Sequence, residues 1–204
     1  MTEKEKMLAG KFYDPFSEDM PALREKAHLL CHEYNMLAEN DPRRAEILAE
    51  LLPDGNGVYL QGPIQFDYGC FTKFGKNCYA NVNFVALDDG YITIGDNVFM
   101  GPNVSLVAPI HPLLPNERNS FVREDGNVTN LEYSKAITIE DNCWLACGVT
   151  VCGGVTIGEG SVIGAGSVVT RSIPPHSLAA GVPCRVIRKI TEEDSVYRKE
   201  ELFE

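Results

Sequence analysis

Residues Ile139 to Pro174 read IEDNCW LACGVT VCGGVT IGEGSV IGAGSV VTRSIP, a run of consecutive six-residue blocks. The second residue is small in four of these six blocks, and the fifth is mostly small or β-branched. The first residue of every block is aliphatic: Ile139, Leu145, Val151, Ile157, Ile163 and Val169. A fixed period of this kind is typical of a parallel β-helix, in which each block supplies a short strand and stacked coils bury the aliphatic column. The stretch therefore predicts a mainly β fold.

The coils before this stretch are predicted to be less regular. The β-helix is expected to cover residues 58–190, and its phase shifts around Asp88-Asp89-Gly90. From Leu106 to Ile139 the spacing is 33 residues, which is not a multiple of six, so an insertion at residues 112–136 interrupts the repeat. A long polar loop inside a regular solenoid is more often functional than accidental.

Both ends of the chain are predicted to be helical. Residues 1–57 carry helix start signals at Pro21 and at Asp41-Pro42, and the turn-rich residues 53–57 end the module. One predicted helix face consists of Leu23, Ala27, Leu30, Tyr34 and Leu37. Residues 191–204 are predicted to form a short, charged C-terminal helix exposed to solvent.

The composition limits the possible partners and compartments. A net charge of −11 and a pI near 4.8 argue against nucleic acid or an anionic membrane as a general partner. The seven cysteines are odd in number and form no CxxC pair, as expected of reduced thiols in a cytoplasmic protein. The N-terminus lacks the apolar core of a signal peptide, and no apolar run is long enough to span a membrane.

Three segments resemble the maltose and galactoside O-acetyltransferases, which belong to the hexapeptide-repeat acyltransferases. They are GKFYDPFSEDMPALREKAHLLCHEY at 10–34, His111-Pro112, and GAGSVVTRSIPP followed by AAGVPCRVIR. The resemblance extends over about residues 5–190. It implies a left-handed parallel β-helix of three-sided coils with an N-terminal helical module, assembled as a homotrimer. The left hand comes from the resemblance alone, because the general crossover rule favours the opposite hand.

His111 is the candidate catalytic residue. It stands where the regular coil gives way to the insertion, and the resemblance makes it the general base. An imidazole titrates near neutrality, so it can take a proton from an alcohol. A lone histidine is more often structural, and the other three lie in the N-terminal module (His28 and His32) and the exit turn (His176).

The resemblance also assigns an acceptor set. Asp67, Asn81 and Asp89 match the acceptor-binding positions, and Asp14 is a further candidate, although Pro15 and Phe16 alter the spacing there. A carboxylate and an amide together offer a sugar hydroxyl both kinds of hydrogen-bond partner. The competing interpretation of Asp67 and Asn81 is turn chemistry, because Asx side chains often cap corners.

The donor set implied by the resemblance lies late in the chain. The coenzyme A contacts are Trp144, Cys147, Ala165, Thr170, Arg171, Arg185 and Arg188. The backbone amide of Cys147 is expected to face the developing oxyanion, and the arginines are expected to pair with phosphates. The alternatives are interface packing for Trp144 and ordinary surface charge for the arginines.

The resemblance implies a coenzyme A-dependent O-acetyltransferase. Acetyl-CoA would be the co-substrate, the acceptor a hydroxyl of a sugar or glycoside, and no catalytic metal would be needed. The alternatives are a serine or xenobiotic O-acetyltransferase and a non-catalytic β-helix scaffold. A γ-class carbonic anhydrase-like enzyme needs a three-histidine zinc site, whereas the β-helix contains only His111 and His176.

Overall fold

The computed structural model describes residues 1–17, 20–55 and 57–203. Three α-helices precede the first strand: α1 Glu3–Leu8, α2 Met20–Met36 and α3 Arg43–Leu51. A capping box starts α1, because the Thr2 side chain accepts from the Glu5 amide and the Glu5 side chain accepts from the Thr2 amide. The two longer helices were expected, whereas α1 was not distinguished in the sequence.

Short strands make up most of the rest. In chain order they are β1 Tyr59–Leu60, β2 Ile64–Phe66, β3 Thr72–Phe74, β4 Tyr79–Ala80, β5 Phe84–Leu87, β6 Ile92–Ile94, β7 Phe99–Met100, β8 Ser105–Val107, β9 Pro109–Ile110, β10 Phe121–Val122, β11 Val128–Thr129, β12 Tyr133–Ser134, β13 Ile137–Ile139, β14 Trp144–Leu145, β15 Thr150–Cys152, β16 Thr156–Ile157, β17 Val162–Ile163, β18 Val168–Val169, β19 Ser177–Gly181 and β20 Cys184–Lys189.

The strands form the three faces of a parallel solenoid, as the repeat predicted. The seven-stranded sheet has the order β1-β4-β7-β14-β17-β19-β20, in which β20 returns antiparallel to β19. The five-stranded sheet has the order β18-β15-β8-β5-β2, and the four-stranded sheet has the order β16-β13-β6-β3. The chain passes through the three sheets in that sequence once per coil, so each corner joins the same two sheets in every coil.

The core is the aliphatic column read from the sequence. All six residues that open the blocks (Ile139, Leu145, Val151, Ile157, Ile163 and Val169) are fully buried. They stack in register, with Leu145 paired to Met100 on one side and to Ile163 on the other. Burying such a side chain contributes about 1.5–3 kcal/mol relative to leaving it exposed, so the stacked column is the main source of stability.

Asparagines turn one corner of the early coils. Asn77, Asn97 and Asn142 have φ of 57°, 56° and 60°, in the left-handed region that asparagine tolerates better than most residues. Their side-chain amides form a ladder, in which Asn77 donates to Asn97 and Asn97 donates to Asn142. Gly160 has the same left-handed conformation at the equivalent position one coil later. The early coils are therefore irregular in sequence but equivalent in structure.

The insertion folds back onto the coil. It contains a single-turn helix, α4 Pro115–Arg118, and the hairpin of β10 and β11. Strand β12 then pairs antiparallel with β9. An isolated antiparallel bridge joins Glu132 to Tyr13, so the N-terminal segment is hydrogen-bonded to the insertion.

The C-terminal tail differs from the single helix that was predicted. Three 3₁₀ turns follow one another at Glu192–Asp194, Val196–Arg198 and Glu200–Leu202. Neither of the first two turns has a buried residue, so no apolar face holds this segment in a longer helix. Among the described residues, no helix combines the length and apolar character needed to cross a bilayer.

Candidate active site

A cleft of about 330 Å³ opens at the corner where the five-stranded sheet leads into the four-stranded sheet. Its wall combines coil corners, the N-terminal segment, helix α2 and the insertion. The lining residues are Pro15, Phe16, Arg24, Asp67, Leu87, Asp89, Pro109, His111, Asn130 and Glu132. The structure therefore brings together three residues of the predicted site, His111, Asp67 and Asp89.

His111 is held at the end of a strand and keeps one side open to the cleft. It follows β9 directly, and half of its side chain is exposed. Its Nε2 lies 3.6 Å from Oε2 of Glu132, whose side chain is only 11% exposed. This distance is a charge contact slightly longer than a hydrogen bond, and catalytic hydrogen bonds are often long before substrate binds.

The hydroxyl of Tyr13 lies between two acidic side chains of the cleft. It is 2.6 Å from Oε1 of Glu132 and 3.0 Å from Oδ1 of Asp89. Tyr13 is fully buried, and burial together with these neighbouring carboxylates raises its pKa far above the usual range. The phenol therefore stays protonated and acts as a hydrogen-bond donor.

Asp89 and Asp67 are two carboxyl groups that line the same cleft. Burial, followed by the charge of Asp67, raises the pKa of Asp89 to about 7. Burial also raises the pKa of Asp67, whose Oδ1 lies 3.4 Å from Nε2 of His28. In the described structure Oδ2 of Asp89 is buried without a hydrogen-bond partner. Both carboxyl groups therefore hold a proton more readily than an exposed aspartate does.

The neighbouring Asp88 has a different role. Its Oδ1 accepts from the amides of Tyr68 at 2.8 Å and Gly69 at 3.1 Å, and its Oδ2 accepts from the Thr72 hydroxyl. These bonds close the corner below the cleft, so Asp88 is a structural residue and Asp89 faces the site.

Asp14 lies beside the cleft and does not line it. Its carboxylate accepts hydrogen bonds from the Thr129 hydroxyl, the Phe16 amide and Ser17, and it pairs with Arg123 of the insertion. Burial alone would raise the pKa of Asp14, but these donors outweigh it and hold the pKa below its usual value. Both carboxylate oxygens of Asp14 are therefore hydrogen-bonded, and they connect the N-terminal segment to the insertion.

Asn81 and part of the donor set lie at another corner. Asn81 follows β4, and its Oδ1 accepts from the Val82 amide at 2.7 Å, which is the turn chemistry considered as an alternative. Cys147 and the exposed Ala165 lie at the equivalent corner in later coils. Trp144 lies on the outer face of the seven-stranded sheet, with half of its side chain exposed. Within one chain the five-stranded sheet separates this corner from His111.

The remaining donor residues are exposed. Thr170 and Arg171 follow β18, at the same type of corner as the cleft but in a later coil. Arg185 donates to the Cys184 carbonyl at 2.8 Å. Arg188 makes a bidentate pair with Asp194 of the tail, so a phosphate would have to replace that carboxylate. The amide of Cys147 makes no hydrogen bond within the described residues.

Two residues that line the cleft, Arg24 and Glu132, and the buried Tyr13 beside it were missed in the sequence. Tyr13 precedes Asp14 in the segment already singled out, and Glu132 lies two residues before the end of the strand that returns to the coil. Arg24 lies over the rings of Phe16 and Tyr68. No spacing rule links these positions to His111, because the insertion and the N-terminal segment meet only in three dimensions. Among the described residues, no group of three His, Cys, Asp or Glu side chains is arranged to hold a metal ion.

Two family models match the sequence. Residues 6–55 match the maltose acetyltransferase hexapeptide capping motif. Residues 136–171 match the bacterial transferase hexapeptide model, which has six repeats. The two matches coincide with the helical N-terminal region and with the regular coils.

Similar proteins align over nearly the whole chain. The galactoside O-acetyltransferase of Escherichia coli strain K12 is 39% identical over 199 residues, which cover 97% of this chain and 94% of that protein. A structure of a galactoside acetyltransferase in complex with coenzyme A has a TM-score of 0.85 and 38% identity, covering 95% of this chain and 94% of the other. A hexapeptide-repeat acetyltransferase from Vibrio cholerae, complexed with acetyl coenzyme A, has a TM-score of 0.81 and 34% identity, covering 94% and 100%.

Proposed function

Since the chain belongs to the maltose and galactoside O-acetyltransferase family of hexapeptide-repeat proteins, we propose that it transfers an acetyl group from acetyl-CoA to a hydroxyl of a sugar or glycoside. The observation that carries this proposal is the cleft, which is lined by His111 together with the buried Asp89 and Glu132 and the partly exposed Asp67. An exposed imidazole beside a polar pocket is suited to activating a hydroxyl compound.

His111 acts as the general base in this mechanism. The acceptor hydroxyl gives its proton to the imidazole as its oxygen attacks the thioester carbonyl of acetyl-CoA. The tetrahedral intermediate then collapses, the carbon–sulfur bond breaks, and the imidazolium returns the proton to the departing thiolate. The acetyl group passes directly to the acceptor, so no covalent enzyme intermediate forms.

The acceptor is recognised by the acidic side of the cleft. Burial raises the pKa of both Asp67 and Asp89, and a protonated carboxyl donates a hydrogen bond as well as accepting one, which matches a pair of sugar hydroxyls. Asn130 of the insertion adds an amide to the same wall. The position of Asp14, with both oxygens engaged, supports an indirect role in shaping this wall.

Coenzyme A is held by the donor set. The exposed corner at Ala165 and Gly166 leaves room for an extended pantetheine arm beside the backbone. Arg171, Arg185 and Arg188 are exposed cations that can pair with phosphates. The unpaired amide of Cys147 is available to stabilise the oxyanion, and Trp144 borders this region.

The two half-sites suggest a homotrimer with active sites between neighbouring chains. His111 lies at one edge of the five-stranded sheet, while Asn81 and Cys147 lie at the other, so a second chain must supply the missing half. The outer face of the seven-stranded sheet presents a column of partly exposed aromatic side chains: Tyr59, Tyr79, Phe99 and Trp144. Such a column is suited to packing between subunits. A stable monomer that retains full activity in sedimentation and assay would contradict this arrangement.

Each part of the chain has its own task in this proposal. The helical module of residues 1–57 and the tail of residues 191–204 flank the β-helix domain of residues 58–190. The insertion of residues 112–136 serves as a lid that shapes acceptor choice, because it contributes Asn130 and Glu132 to the cleft. The need for acetyl-CoA and the seven free cysteines support a cytoplasmic location.

The proposed activity is tested by supplying acetyl-CoA with a panel of sugars and glycosides and measuring release of free coenzyme A. Acetylated sugar, identified by mass spectrometry, is the expected product. Two results would contradict the sugar assignment: release of coenzyme A with serine as the acceptor, or no release with any of the sugars and glycosides.

A further inference from the structure

Tyr13 and Glu132 lie next to His111 and Asp89 but belong to neither the donor set nor the acceptor set. We propose that Glu132 is a positioning residue, whose carboxylate stabilises the positive charge on His111 as it takes the acceptor proton, and that Tyr13 holds Glu132 in place. This inference rests on the proposed acetyl transfer and extends it to the N-terminal segment. It makes that segment part of the catalytic centre as well as part of a helical module.

The two hydrogen-bond distances indicate which carboxylate receives the proton of the Tyr13 hydroxyl. A phenol has one proton to donate, and the contact with Glu132 at 2.6 Å is shorter than the contact with Asp89 at 3.0 Å. The proton therefore goes to Glu132. Asp89 meets the phenol oxygen from the other side. A continuous chain of contacts thus runs from the acceptor-facing Asp89 through Tyr13 and Glu132 to His111.

The backbone keeps this chain of contacts rigid. The Tyr13 amide donates to the Glu132 carbonyl at 3.0 Å, and the Glu132 amide donates to the Tyr13 carbonyl at 3.4 Å. The same two residues are therefore joined twice, through their main chains and through their side chains. The Tyr13 ring is fixed in a buried cluster with Met7, Met20, Tyr68 and Phe71. Glu132 consequently has few alternative positions from which to face His111.

The charges around Glu132 decide how strongly it acts on His111. The groups that influence Glu132 are Tyr13, Asp89, His111 and Arg24. Burial raises the pKa of Glu132, while the Tyr13 hydrogen bond lowers it and favours the charged form. Removing the Tyr13 hydroxyl would therefore make Glu132 easier to protonate and reduce the negative charge that faces His111. A carboxylate next to a partly desolvated imidazole favours its protonated form, which is the form that arises during proton abstraction.

The experiment compares Glu132→Gln, Tyr13→Phe and the double variant in the acetyl-transfer assay. Glu132→Gln removes the charge and keeps the shape, so kcat should fall by about 10- to 100-fold, a part of the roughly 10²–10⁴-fold that a placed base supplies. The KM for acetyl-CoA should not change. Tyr13→Phe should lower kcat by about 3- to 10-fold, since the base keeps a weakened partner. The double variant should be no slower than Glu132→Gln alone, because Tyr13 acts through Glu132.

Tyr34→Phe is the matched control. It removes one buried phenol hydroxyl that donates to the Leu60 carbonyl, away from the cleft. Near-ultraviolet circular dichroism verifies that every variant is folded. Glu132→Gln should also move the acid limb of the pH dependence of kcat/KM to lower pH, whereas Tyr34→Phe should leave it in place.

A readout that does not require activity separates this inference from the proposed function. The ¹⁵N resonances of the His111 ring should change in Glu132→Gln and Tyr13→Phe and should match the wild type in Tyr34→Phe. Unchanged His111 resonances, an unchanged kcat in Glu132→Gln, or independent effects that multiply in the double variant would each overturn the positioning role. If the wild type acetylates no sugar, the proposed function fails, and the resonances still decide whether Glu132 acts on His111.

Discussion

Arg123 of the insertion pairs with Asp14 of the N-terminal segment, 109 residues earlier in the chain. Both side chains are largely buried, and the Thr129 hydroxyl donates to the same carboxylate. The pair therefore fastens two segments that the sequence keeps far apart, directly beside the cleft. The insertion is held over the β-helix by this charge pair and by the bridge between Tyr13 and Glu132.

Replacing Arg123 with alanine should loosen the insertion. The substitution leaves Asp14 largely buried without its cation, which should cost about 1–3 kcal/mol in the free energy of unfolding. Urea unfolding followed by fluorescence measures this change. Limited proteolysis should also cut residues 112–136 faster than in the wild type.

Arg43→Ala is the control for that experiment. Arg43 also pairs with two carboxylates, Glu33 and Glu46, but these groups are exposed. Exposed pairs contribute little, so stability should hardly change. Equal losses in the Arg43 and Arg123 variants would show that burial of the Asp14 pair has no special effect.

The carboxyl of Asp89 should make stability depend on pH. Its pKa is raised from 3.8 to about 7, so the folded protein holds this proton where the unfolded chain has lost it. Stability from this group is therefore present below about pH 4 and is lost as the pH rises through about 7. Asp89→Asn does not titrate and mimics the protonated acid. At pH 8 it should be more stable than the wild type by up to about 4 kcal/mol, and at pH 4 the difference should vanish.

Asp88→Asn should stabilise the protein less than Asp89→Asn does at pH 8. Burial raises the pKa of Asp88 to about 6, so replacing its charged form is favourable at that pH. However, both oxygens of Asp88 accept hydrogen bonds, including those from the amides of Tyr68 and Phe71, and an amide nitrogen cannot accept. One of these donors would lose its partner, which costs about 1–3 kcal/mol. Thermal unfolding of the two variants side by side measures the difference, and equal stabilisation of both would show that the separate roles of Asp88 and Asp89 are wrong.

The fold was largely readable from the sequence because a β-helix is a local repeat. Each aliphatic residue such as Leu145 packs on its equivalents one coil away, so the period alone encodes the contact. The left-handed corner at Asn97 was not identified from the sequence, because asparagine and glycine both occupy this position and no single residue type marks it. The tail was misjudged because charged residues with good helix propensity still need an apolar face to form a long helix.

The site was only partly readable. His111 was singled out because it lies where the repeat breaks and because of the resemblance, whereas Asp89 was assigned by the resemblance. Tyr13 and Glu132 were missed, because their importance depends on a contact between segments 119 residues apart. The engagement of Asp14 by Arg123 likewise depends on how the insertion folds back, which no periodicity encodes.

The three arginines of the donor set should contribute unequally to coenzyme A binding. Single changes of Arg171 and Arg185 to alanine should weaken binding by roughly 3- to 30-fold each, as expected of exposed charge-assisted contacts. Arg188→Ala should have a smaller effect, because binding must first displace Asp194 from Arg188. Calorimetry with coenzyme A measures all three. Unchanged affinity in every variant would remove these residues from the donor site.

The tip of the insertion should control acceptor choice. Leu113 and Leu114 are exposed there, and Leu113 is 90% exposed. Replacing residues 113–122 with a short Gly-Ser linker keeps Arg123, Thr129 and Glu132, which anchor the insertion. The ranking of sugar acceptors should change, while coenzyme A affinity stays near that of the wild type. An unaltered ranking would reduce the tip to surface decoration.

The most direct test of the account is kcat for acetyl transfer in His111→Ala, compared with Cys147→Ala. Cys147 is the nearest rival as a nucleophile, since it is exposed in the donor region. If His111 is the general base, His111→Ala should lower kcat by roughly 10²–10⁴-fold with coenzyme A affinity preserved, and Cys147→Ala should retain most activity. An active His111→Ala together with a folded but inactive Cys147→Ala would contradict the account and assign the chemistry to the thiol.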